Sequence, residues 1–219
     1  MSNPSGFPLI ILAAGKSSRM GSPKGLVPYK GNPWLFSQLE AYGKLGGGRV
    51  VLVLGFDSDK YLEAIPWLLQ SCSEYVYYQN IQIKTVISPN PEFGQFSSIQ
   101  SGIKEIMSYD SAPRGVFLTP IDIPIADVNI LRILMLHVLK GAQACIPYHE
   151  ERGGHPVALH HDFLKSLERL LVSGDESRLD LQIKKLDPSL VIAAPANDPR
   201  VVMNLNTPAE FESFAGTSW

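Results

Sequence analysis

The sequence predicts an α/β fold built on a mostly parallel β-sheet with helices on both faces. Short apolar runs rich in β-branched residues alternate with stretches of helical periodicity, a pattern typical of parallel strands joined by right-handed crossovers. The early runs are continuous instead of alternating, as expected for strands buried on both faces. The 219 residues contain no repeat and no low-complexity linker, so a single domain over residues 1–219 is predicted.

The elements follow from these patterns in chain order. Eight apolar runs are predicted as strands: Leu9–Ala13, Val50–Leu54, Thr85–Ser88, Val116–Thr119, Ala144–Pro147, Val157–Leu159, Leu190–Ala193 and Val201–Leu205. Six intervening stretches are predicted as helices: Pro33–Leu45, Ser58–Leu69, Ser97–Met107, Asp127–Leu139, Asp162–Val172 and Pro208–Phe214. Residues 141–178 break the alternation and are predicted to be an insertion that forms one wall of a cleft. Ligands of such sheets bind beyond the carboxyl ends of the strands, so the functional loops are expected there.

Composition excludes several classes of function. The 19 basic and 21 acidic residues balance to a net charge of −2, which predicts no binding to nucleic acid or to an anionic membrane. No apolar run approaches the roughly 18 residues that span a bilayer, and no basic residue precedes the apolar stretch Phe7–Ala14, as a signal peptide would require. Cys72 and Cys145 are far apart and form no CxxC motif, which favours reduced thiols in a cytoplasmic protein.

The loop after the first predicted strand, residues 12–24, has the composition of a phosphate-binding segment. Its small residues let backbone N–H groups approach a phosphate, and Arg19 and Lys24 add positive charge. Gly15-Lys16-Ser17 is not part of a P-loop, because that motif needs a glycine where Ile10 stands. On composition alone, a glycine- and serine-rich turn with solvated cations remains the alternative.

The pattern LAAGxSxRMGxxK over residues 12–24 resembles the N-terminal motif of nucleotidyltransferases with the MobA-like fold. Within that family it is similar to the group of molybdenum cofactor cytidylyltransferases and guanylyltransferases. The resemblance extends from Leu9 to Phe214. It implies a Rossmann-like, three-layer α/β sheet of the nucleotide-diphospho-sugar transferase type. It also implies that Arg19 and Lys24 are catalytic residues on the phosphates and that the nucleotide contacts Leu12, Ala13, Ala14 and Gly15.

Residues 90–98 resemble the family segment that lines the base and ribose. The residues that this resemblance assigns to nucleotide binding are Asn90, Gly94, Gln95 and Ser98. Read from the residues alone, Ser97 is a candidate helix N-cap with Gln100 completing a capping box.

Asp122 lies between apolar residues and two prolines, in Thr119–Pro124. Burying a carboxylate there is costly unless it is paired or binds a metal, and a turn cap is the alternative. Asp122-Ile123-Pro124 resembles the family's D-x-P segment, which implies that Asp122 is catalytic and binds Mg²⁺.

Two further segments resemble family motifs. Gly154-His155-Pro156-Val157 is similar to the cytidylyltransferase branch and implies that Gly154 and His155 bind the acceptor, although an isolated histidine is usually structural. His160 and His161 match nothing in the family and are predicted at the surface of a helix start. Residues 174–178 depart from the family's G-D-x-G-A-R pattern, since Glu176 and Ser177 replace Gly-Ala, which weakens the acceptor role of that loop.

The final loop carries Asn204 and Asn206 where cytidylyltransferase relatives usually carry two aspartates. This N-x-N-T-P pattern is closer to the guanylyltransferases, and an amide oxygen is a weaker ligand for Mg²⁺ than a carboxylate. Asn204 and Asn206 are therefore candidate metal ligands opposite Asp122. Thr207, Pro208 and Glu210 predict a helix start with a capping box.

Together these resemblances imply a Mg²⁺-dependent transferase that joins a nucleoside monophosphate, from CTP rather than GTP, to a phosphorylated small-molecule acceptor such as molybdopterin. A phosphomonoester, whose second pKa is about 6, is largely ionised at pH 7, so no general base is needed. A molybdoenzyme or its maturation factor is the implied protein partner. The alternatives are a transferase for a sugar, alditol or methylerythritol phosphate, and a non-catalytic nucleotide-binding module.

Overall fold

The computed structural model describes residues 7–18, 20–109, 112–171 and 177–217. Its strands are β1 Leu9–Ala13, β2 Pro28–Tyr29, β3 Asn32–Pro33, β4 Gly48–Leu54, β5 Val76–Tyr78, β6 Ile81–Ile87, β7 Gly115–Pro120, β8 Ala144–His149, β9 Arg152–Gly153, β10 Val157–His160 and β11 Val191–Pro195. Its α-helices are α1 Trp34–Gly43, α2 Ser58–Ala64, α3 Trp67–Ser71, α4 Gln95–Met107, α5 Val128–Leu139, α6 His161–Glu168, α7 Leu179–Lys184 and α8 Pro208–Ala215. Four short 3₁₀ turns cover Lys24–Leu26, Pro91–Phe93, Pro188–Leu190 and Pro199–Val202.

One mixed, mostly parallel sheet organises the fold, in the order β11-β8-β10-β7-β1-β4-β6-β5, with β9 paired to β8. β1 lies at its centre and pairs in parallel with both β4 and β7, and β6 continues the parallel ladder beyond β4. The carboxyl ends of β1, β4, β6 and β7 therefore meet at one edge, as the sequence predicts. β2 and β3 form a separate small hairpin.

All five residues of β1 are buried, because helices cover the sheet on both faces. One face packs Leu9 and Ile11 of β1 against helices α1, α2, α3, α5 and α8. The other face packs Ile10 and Leu12 of β1 against α4, α6 and α7. This three-layer α/β arrangement confirms the predicted fold class and explains the continuous apolar run of β1, since neither face of that central strand reaches water.

Two predicted elements differ in kind from the structure. Val201–Leu205 is not a strand, because Asp198 caps a 3₁₀ turn that starts at Pro199, and its side chain accepts the Arg200 N–H at 3.0 Å. The predicted helix over residues 58–69 is divided into α2 and α3, with Pro66 at the break. This division follows from the missing N–H of proline.

Residues 141–178, predicted to be an insertion that forms one wall of a cleft, contain strands of the main sheet in their described part. β8 and β10 belong to the sheet itself, but β10 runs antiparallel to both of its neighbours, β7 and β8. This reversal breaks the strand–helix alternation that the sequence shows elsewhere. The short β8–β9 hairpin projects from the sheet and contributes to a groove described below.

Both cysteines are free thiols, with Cys145 buried in β8 and Cys72 half-buried after α3. In the ranges that the structure describes, no helix has the length and apolar character needed to cross a membrane.

Candidate active site

A cleft of about 390 Å³ opens at the carboxyl edge of the sheet. Its walls come from the loops that follow β1, β4, β6 and β7, and from one residue of the final loop. The predicted site residues that line it are Leu12, Ala13, Ala14, Gly15, Lys24, Gly94, Gln95, Ser98, Asp122 and Asn206. Segments far apart in the chain therefore meet in one cleft. Arg19, also predicted to bind phosphate, lies outside the described residues.

The first loop folds back on itself before it reaches Lys24. Ser17 adopts a left-handed backbone conformation, with φ of 45°, and its carbonyl accepts the Met20 N–H at 2.9 Å. Its hydroxyl accepts the backbone N–H of Lys24 at 3.2 Å. On the other side of Lys24, the Gly25 N–H donates to the buried Tyr61 hydroxyl at 2.9 Å. The backbone that carries Lys24 is thus held from both sides.

The ammonium group of Lys24 lies between two oxygens from distant parts of the chain. Its Nζ is 2.5 Å from Oδ2 of Asp122 and 2.7 Å from Oδ1 of Asn206. The Lys24 and Asp122 side chains are only 16% and 17% exposed, so water screens this pair less than it would screen a surface pair. The pairing explains how a carboxylate is accommodated between apolar residues and prolines.

The loop that carries Asp122 is anchored by buried side chains of α1. The Trp34 indole donates to the Ile121 carbonyl at 2.6 Å, and Gln38 Oε1 accepts the Ile125 N–H at 2.9 Å. The Ile121 N–H in turn donates to the Leu12 carbonyl at 2.9 Å. Asp122 is therefore held directly beside the end of β1.

The final loop is attached to the Asp122 loop, and this places Asn206. The Leu205 N–H donates to the Asp122 carbonyl at 2.8 Å. Glu210 Oε2 accepts the N–H groups of Asn206 and Thr207 at 2.7 and 2.8 Å, while Thr207 caps α8 in return. The capping box predicted from the sequence is confirmed, and it also orients the backbone of Asn206.

The oxygens around Lys24 fit a divalent cation that arrives with a nucleotide. Within the described ranges, no group of three or more histidine, cysteine, aspartate or glutamate side chains is positioned to hold a metal, so a metal cage built from such side chains is absent there. Mg²⁺ in phosphate-transfer sites is usually held by one or two carboxylates, with the remaining ligands from water and substrate phosphates. Asp122 and Asn206 supply one carboxylate and one amide oxygen, and water and substrate phosphates would supply the other ligands of the ion. Asn204 lines a neighbouring groove instead of this cleft.

The residues predicted to bind the nucleoside, within 90–98, lie at two different places. Gly94, Gln95 and Ser98 line the cleft at the start of α4, and Gly94 has a φ of +86°, a conformation that favours glycine. Asn90 lies instead beside a small pocket of about 290 Å³. Ser97 is inside α4 and donates to the carbonyls of Asn90 and Gly94, each at 2.8 Å. Its predicted capping box is therefore wrong, because the helix begins at Gln95.

Gly154 and His155 line neither this cleft nor the neighbouring groove. The His155 N–H donates to the Val201 carbonyl at 2.8 Å, and its Nδ1 lies 3.3 Å from the Leu118 carbonyl. Burial lowers the pKa of the ring, against smaller opposing effects of the Leu118 carbonyl and the Asp122 charge. A Cβ at Gly154 would lie 2.2 Å from the Val201 carbonyl oxygen. In this structure both residues pack the end of β7 against the 199–202 turn.

His160 and His161 lie at the start of α6, as predicted, but both are half-buried. The His160 side chain accepts the Asp162 N–H at 3.2 Å. His160 thus caps the helix and has no contact with the cleft.

Sequence reasoning missed an aromatic wall of the cleft. Phe56, directly after β4, lines the cleft with its side chain 42% exposed, and the Lys16 Nζ lies 4.6 Å from the ring centroid. Gly55 permits this placement, because a Cβ there would lie 2.6 Å from the Ala14 carbonyl oxygen. The sequence feature that could have indicated this wall is an aromatic residue two positions after the end of a buried strand, in Leu54-Gly55-Phe56.

Comparisons with known proteins agree with this geometry. A family model described as the MobA-like NTP transferase domain matches residues 9–187. The molybdenum cofactor cytidylyltransferase of Escherichia coli (strain K12) is 22% identical, over 92% of this chain and 92% of the relative. The molybdenum cofactor guanylyltransferase of Xanthomonas euvesicatoria pv. vesicatoria (strain 85-10) is also 22% identical, over 92% of this chain and 90% of the relative.

A solved structure shares the fold. The manganese complex of Rv0371C from Mycobacterium tuberculosis H37Rv superposes with a TM-score of 0.66 at 18% identity. The match covers 97% of this chain and 99% of the other. At that identity the likeness shows the three-layer α/β fold.

Proposed function

Because the chain belongs to the MobA-like NTP transferase family, we propose that it transfers a nucleoside monophosphate from CTP to a phosphorylated small-molecule acceptor such as molybdopterin. The observation that carries the proposal is the position of Lys24 between Asp122 and Asn206, at one end of a cleft lined by a small-residue backbone loop. The Lys24 cation, which suits a triphosphate, and a cleft with space for a nucleoside therefore lie side by side.

The cleft has two chemically different ends. Phe56, Gly94, Gln95 and Ser98 come from the loops after β4 and β6 and form the end away from Asp122. Its aromatic ring, over which the Lys16 Nζ lies at 4.6 Å, and its small polar groups suit a base and ribose. Lys24, Asp122 and Asn206 form the charged end, which suits the triphosphate. The backbone around Ala13–Gly15 lies between them, where the α-phosphate of a bound nucleotide is expected.

The proposed reaction is an in-line displacement at the α-phosphorus. A phosphate oxygen of the acceptor forms the new bond, the bond to the α,β-bridging oxygen breaks, and pyrophosphate leaves with that electron pair. Because the attacking phosphate is already largely ionised at pH 7, no side chain needs to remove a proton. Catalysis then depends on positioning and charge neutralisation. This agrees with the absence of His155 from the cleft wall.

Asp122 and Asn206 are the residues proposed to hold Mg²⁺, and Asn204 is not, because it lines the neighbouring groove and not the cleft. The ion supplies charge neutralisation on the triphosphate when it is bound. The manganese complex of Rv0371C supports a divalent cation in a protein of this fold. Arg19 remains a proposed phosphate ligand on the basis of its motif alone.

The choice of CTP over GTP rests on the LAAG and GHPV segments, since the cytidylyltransferase and guanylyltransferase relatives are equally similar to this chain. Pyrophosphate release from CTP and from GTP, with molybdopterin, an alditol phosphate and methylerythritol phosphate as acceptors, tests both substrates. We expect turnover with CTP, molybdopterin and Mg²⁺. Nucleotide binding without pyrophosphate release for every acceptor would instead favour a binding module.

Asp122→Asn tests the site itself. The variant keeps the side-chain shape and removes the charge, and loss of one preorganised electrostatic group costs about 10²–10³ in kcat. Asp180→Asn is the matched control, because Asp180 also pairs with a cation, Arg178 at 3.0 Å, but lies on α7 outside the cleft. Pyrophosphate release that is unchanged in Asp122→Asn would overturn the assignment.

A further inference from the structure

His155 lies outside the cleft, between the two segments that supply the proposed metal ligands. One segment is the end of β7, and the other is the 199–202 turn. The His155 backbone N–H donates to the Val201 carbonyl at 2.8 Å. The ring Nδ1 of the same residue lies 3.3 Å from the Leu118 carbonyl of β7. A single residue therefore contacts both segments, one through its backbone and the other through its side chain.

Both contacts are made shortly before a proposed metal ligand. Leu118 is four residues before Asp122, and Val201 is five residues before Asn206. Further along the two segments, the Leu205 N–H donates to the Asp122 carbonyl at 2.8 Å. The segments are therefore joined twice, first at the histidine and then directly beside the ligands.

The junction with the turn is closely packed. A Cβ at Gly154 would lie 2.2 Å from the Val201 carbonyl oxygen, the same oxygen that accepts the His155 N–H. Only glycine leaves room for this approach. The turn is also held from within, because Asp198 caps it and pairs with Arg200 at 2.8 Å. A change at the histidine is therefore passed on to a turn that has little freedom of its own.

The ring of His155 acts as a hydrogen-bond donor. Burial lowers its pKa, against smaller opposing effects of the Leu118 carbonyl and the Asp122 charge, so the neutral ring predominates at pH 7. Because a carbonyl oxygen can only accept, the proton of the neutral ring lies on Nδ1. An asparagine side chain carries an N–H donor at the same number of bonds from the backbone, and a leucine side chain carries none.

We propose that His155 is a positioning residue that sets the separation of the Asp122 and Asn206 side-chain oxygens, and thereby the affinity of the site for its divalent cation. The inference rests on the proposed function and differs from the acceptor-binding role that the family motif implies for His155. Lys24 Nζ contacts both oxygens, at 2.5 and 2.7 Å, so one cation can reach both. Mg²⁺ requires near-octahedral geometry with ligands at about 2.0–2.1 Å, so a small shift of either segment weakens its binding.

Two substitutions of the ring test this role. His155→Leu removes the donor, and His155→Asn retains one. We expect the Kd for Mn²⁺ to rise about tenfold or more in His155→Leu, as for loss of a group that orients a metal ligand, and to stay near the wild-type value in His155→Asn. Electron paramagnetic resonance of free Mn²⁺, with nucleotide-free protein that circular dichroism shows to be folded, measures each Kd.

Gly154→Ala tests the same junction without changing the ring. Its added Cβ must displace the Val201 carbonyl, so we expect weaker Mn²⁺ binding here as well. Gly153→Ala is the matched control, because the three atoms nearest to a Cβ at Gly153 belong to side chains, the closest on Ile146 at 3.3 Å. His160→Leu is the control for the ring, since His160 is another half-buried histidine but lies at the far end of β10, where it caps α6. Both controls should bind Mn²⁺ as the wild type does.

Kinetics separate positioning of the metal from contact with the acceptor. In His155→Leu we expect the Mg²⁺ concentration for half-maximal pyrophosphate release to rise, and the KM for molybdopterin at saturating Mg²⁺ and CTP to stay unchanged. A KM for molybdopterin that rises in His155→Leu and in His155→Asn, with Mn²⁺ affinity unchanged, would overturn the inference and return His155 to the acceptor.

The Mn²⁺ titration needs no turnover, so it decides the inference separately from the proposed function. Mn²⁺ affinity that is unchanged in both His155→Leu and Gly154→Ala overturns the inference, even if the wild-type protein transfers the nucleotide. Weaker binding in His155→Leu that His155→Asn does not restore also overturns it, because the donor is then not what matters. If the wild-type protein releases no pyrophosphate with any acceptor, the proposed function fails, while weaker Mn²⁺ binding in His155→Leu and Gly154→Ala alone still supports the positioning role.

Discussion

Lys24 lies between an aspartate oxygen and an amide oxygen, at the position proposed for the divalent cation. Both contacts are short, at 2.5 and 2.7 Å, and both partners are held by loops anchored to the core. A metal ion and the Lys24 ammonium cannot occupy the same position. Binding of a metal-bound nucleotide therefore requires Lys24 to turn away from these oxygens, toward the phosphates.

This competition predicts opposite effects for Lys24→Met on metal and on nucleotide. Without nucleotide, the variant should bind Mn²⁺ more tightly than the wild type, because the competing cation is gone. With nucleotide, it should bind CTP more weakly, because a phosphate ligand is gone. Electron paramagnetic resonance measures free Mn²⁺ directly, and Lys60→Met is the control, since Lys60 pairs with Asp57 at 2.8 Å on the surface. Mn²⁺ affinity that falls in Lys24→Met would contradict the assignment.

Phe56 is the basis of a second prediction, which concerns binding of the base. Stacking of a base on an aromatic ring is worth about 1–3 kcal/mol, so Phe56→Ala should raise the KM for CTP about 5- to 150-fold with little change in kcat. Phe56→Trp should retain affinity, and its fluorescence should be quenched by CTP but not by pyrophosphate. Phe93→Ala is the control, because Phe93 is 57% exposed on the next loop yet lies outside the cleft. A KM that is unchanged in Phe56→Ala would place the base elsewhere.

Residue motifs could indicate which segments meet, but not where each side chain points. Lys24, Asp122 and Asn206 were predicted from their patterns, and the structure brings them together. Asn204 and Asn206 look equivalent in N-x-N-T-P, yet only Asn206 reaches the cleft, because the Leu205 N–H and the capping box set the turn between them. The 3.3 Å approach of His155 to Leu118 depends on tertiary packing that a local motif does not encode.

Among the elements, the 3₁₀ turn at Pro199–Val202 has the most consequences for the site. It replaces a predicted strand and forms part of the wall of the groove beside the cleft. Local apolar periodicity predicted a strand over 201–205 because Val201 and Leu205 are buried. No strand forms there, because the turn directs the chain toward Asp122.

Asp198 holds this turn and makes its stability depend on pH. Burial opposes its ionisation, but hydrogen bonds from Arg200 and from the N–H groups of Arg200 and Asp127 outweigh burial, so the pKa of Asp198 lies below its ordinary value. A depressed pKa contributes stability above the unfolded-state pKa of about 3.9, and this stability is lost as the pH falls through the folded-state value.

Asp198→Asn should therefore lower the free energy of unfolding by about 2–3 kcal/mol at pH 7. The difference from the wild type should shrink as the pH falls below about 4. Urea denaturation at pH 7 and pH 3 measures both values. Asp187→Asn is the control, because Asp187 caps another Asp-Pro 3₁₀ turn but is exposed. We expect Asp187→Asn to lower the free energy of unfolding less than Asp198→Asn does. Equal decreases in the free energy of unfolding of the two variants would show that burial of the Asp198–Arg200 pair adds no stability.

For the whole molecule, the alternation of strands and helices was enough to predict the parallel centre of the sheet and its functional edge. The order of strands beyond β7 was not predictable in the same way. The antiparallel β10 and the two-residue strands β2, β3 and β9 carry almost no periodicity. Their positions are set by neighbours that lie far away in the sequence.

Because the cleft joins loops from both halves of the chain, ligand binding should stabilise the entire fold. A ligand at 100 times its Kd adds about 2.7 kcal/mol of stability, which corresponds to a rise in Tm of about 5–10 °C for a domain of this size. We expect CTP with Mg²⁺ to produce this rise, GTP to produce less, and Asp122→Asn to abolish the effect of Mg²⁺. Differential scanning fluorimetry measures these shifts. A larger rise with GTP would reverse the proposed base preference.

The two proposed ends of the cleft come from different parts of the chain. The residues proposed to contact the base all precede residue 100, whereas Asp122 and Asn206, the proposed metal ligands, both follow it. Preference for a base and binding of the metal are therefore free to diverge separately during evolution. Exchanging the first half between relatives should then alter the base preference and leave the metal ligands intact.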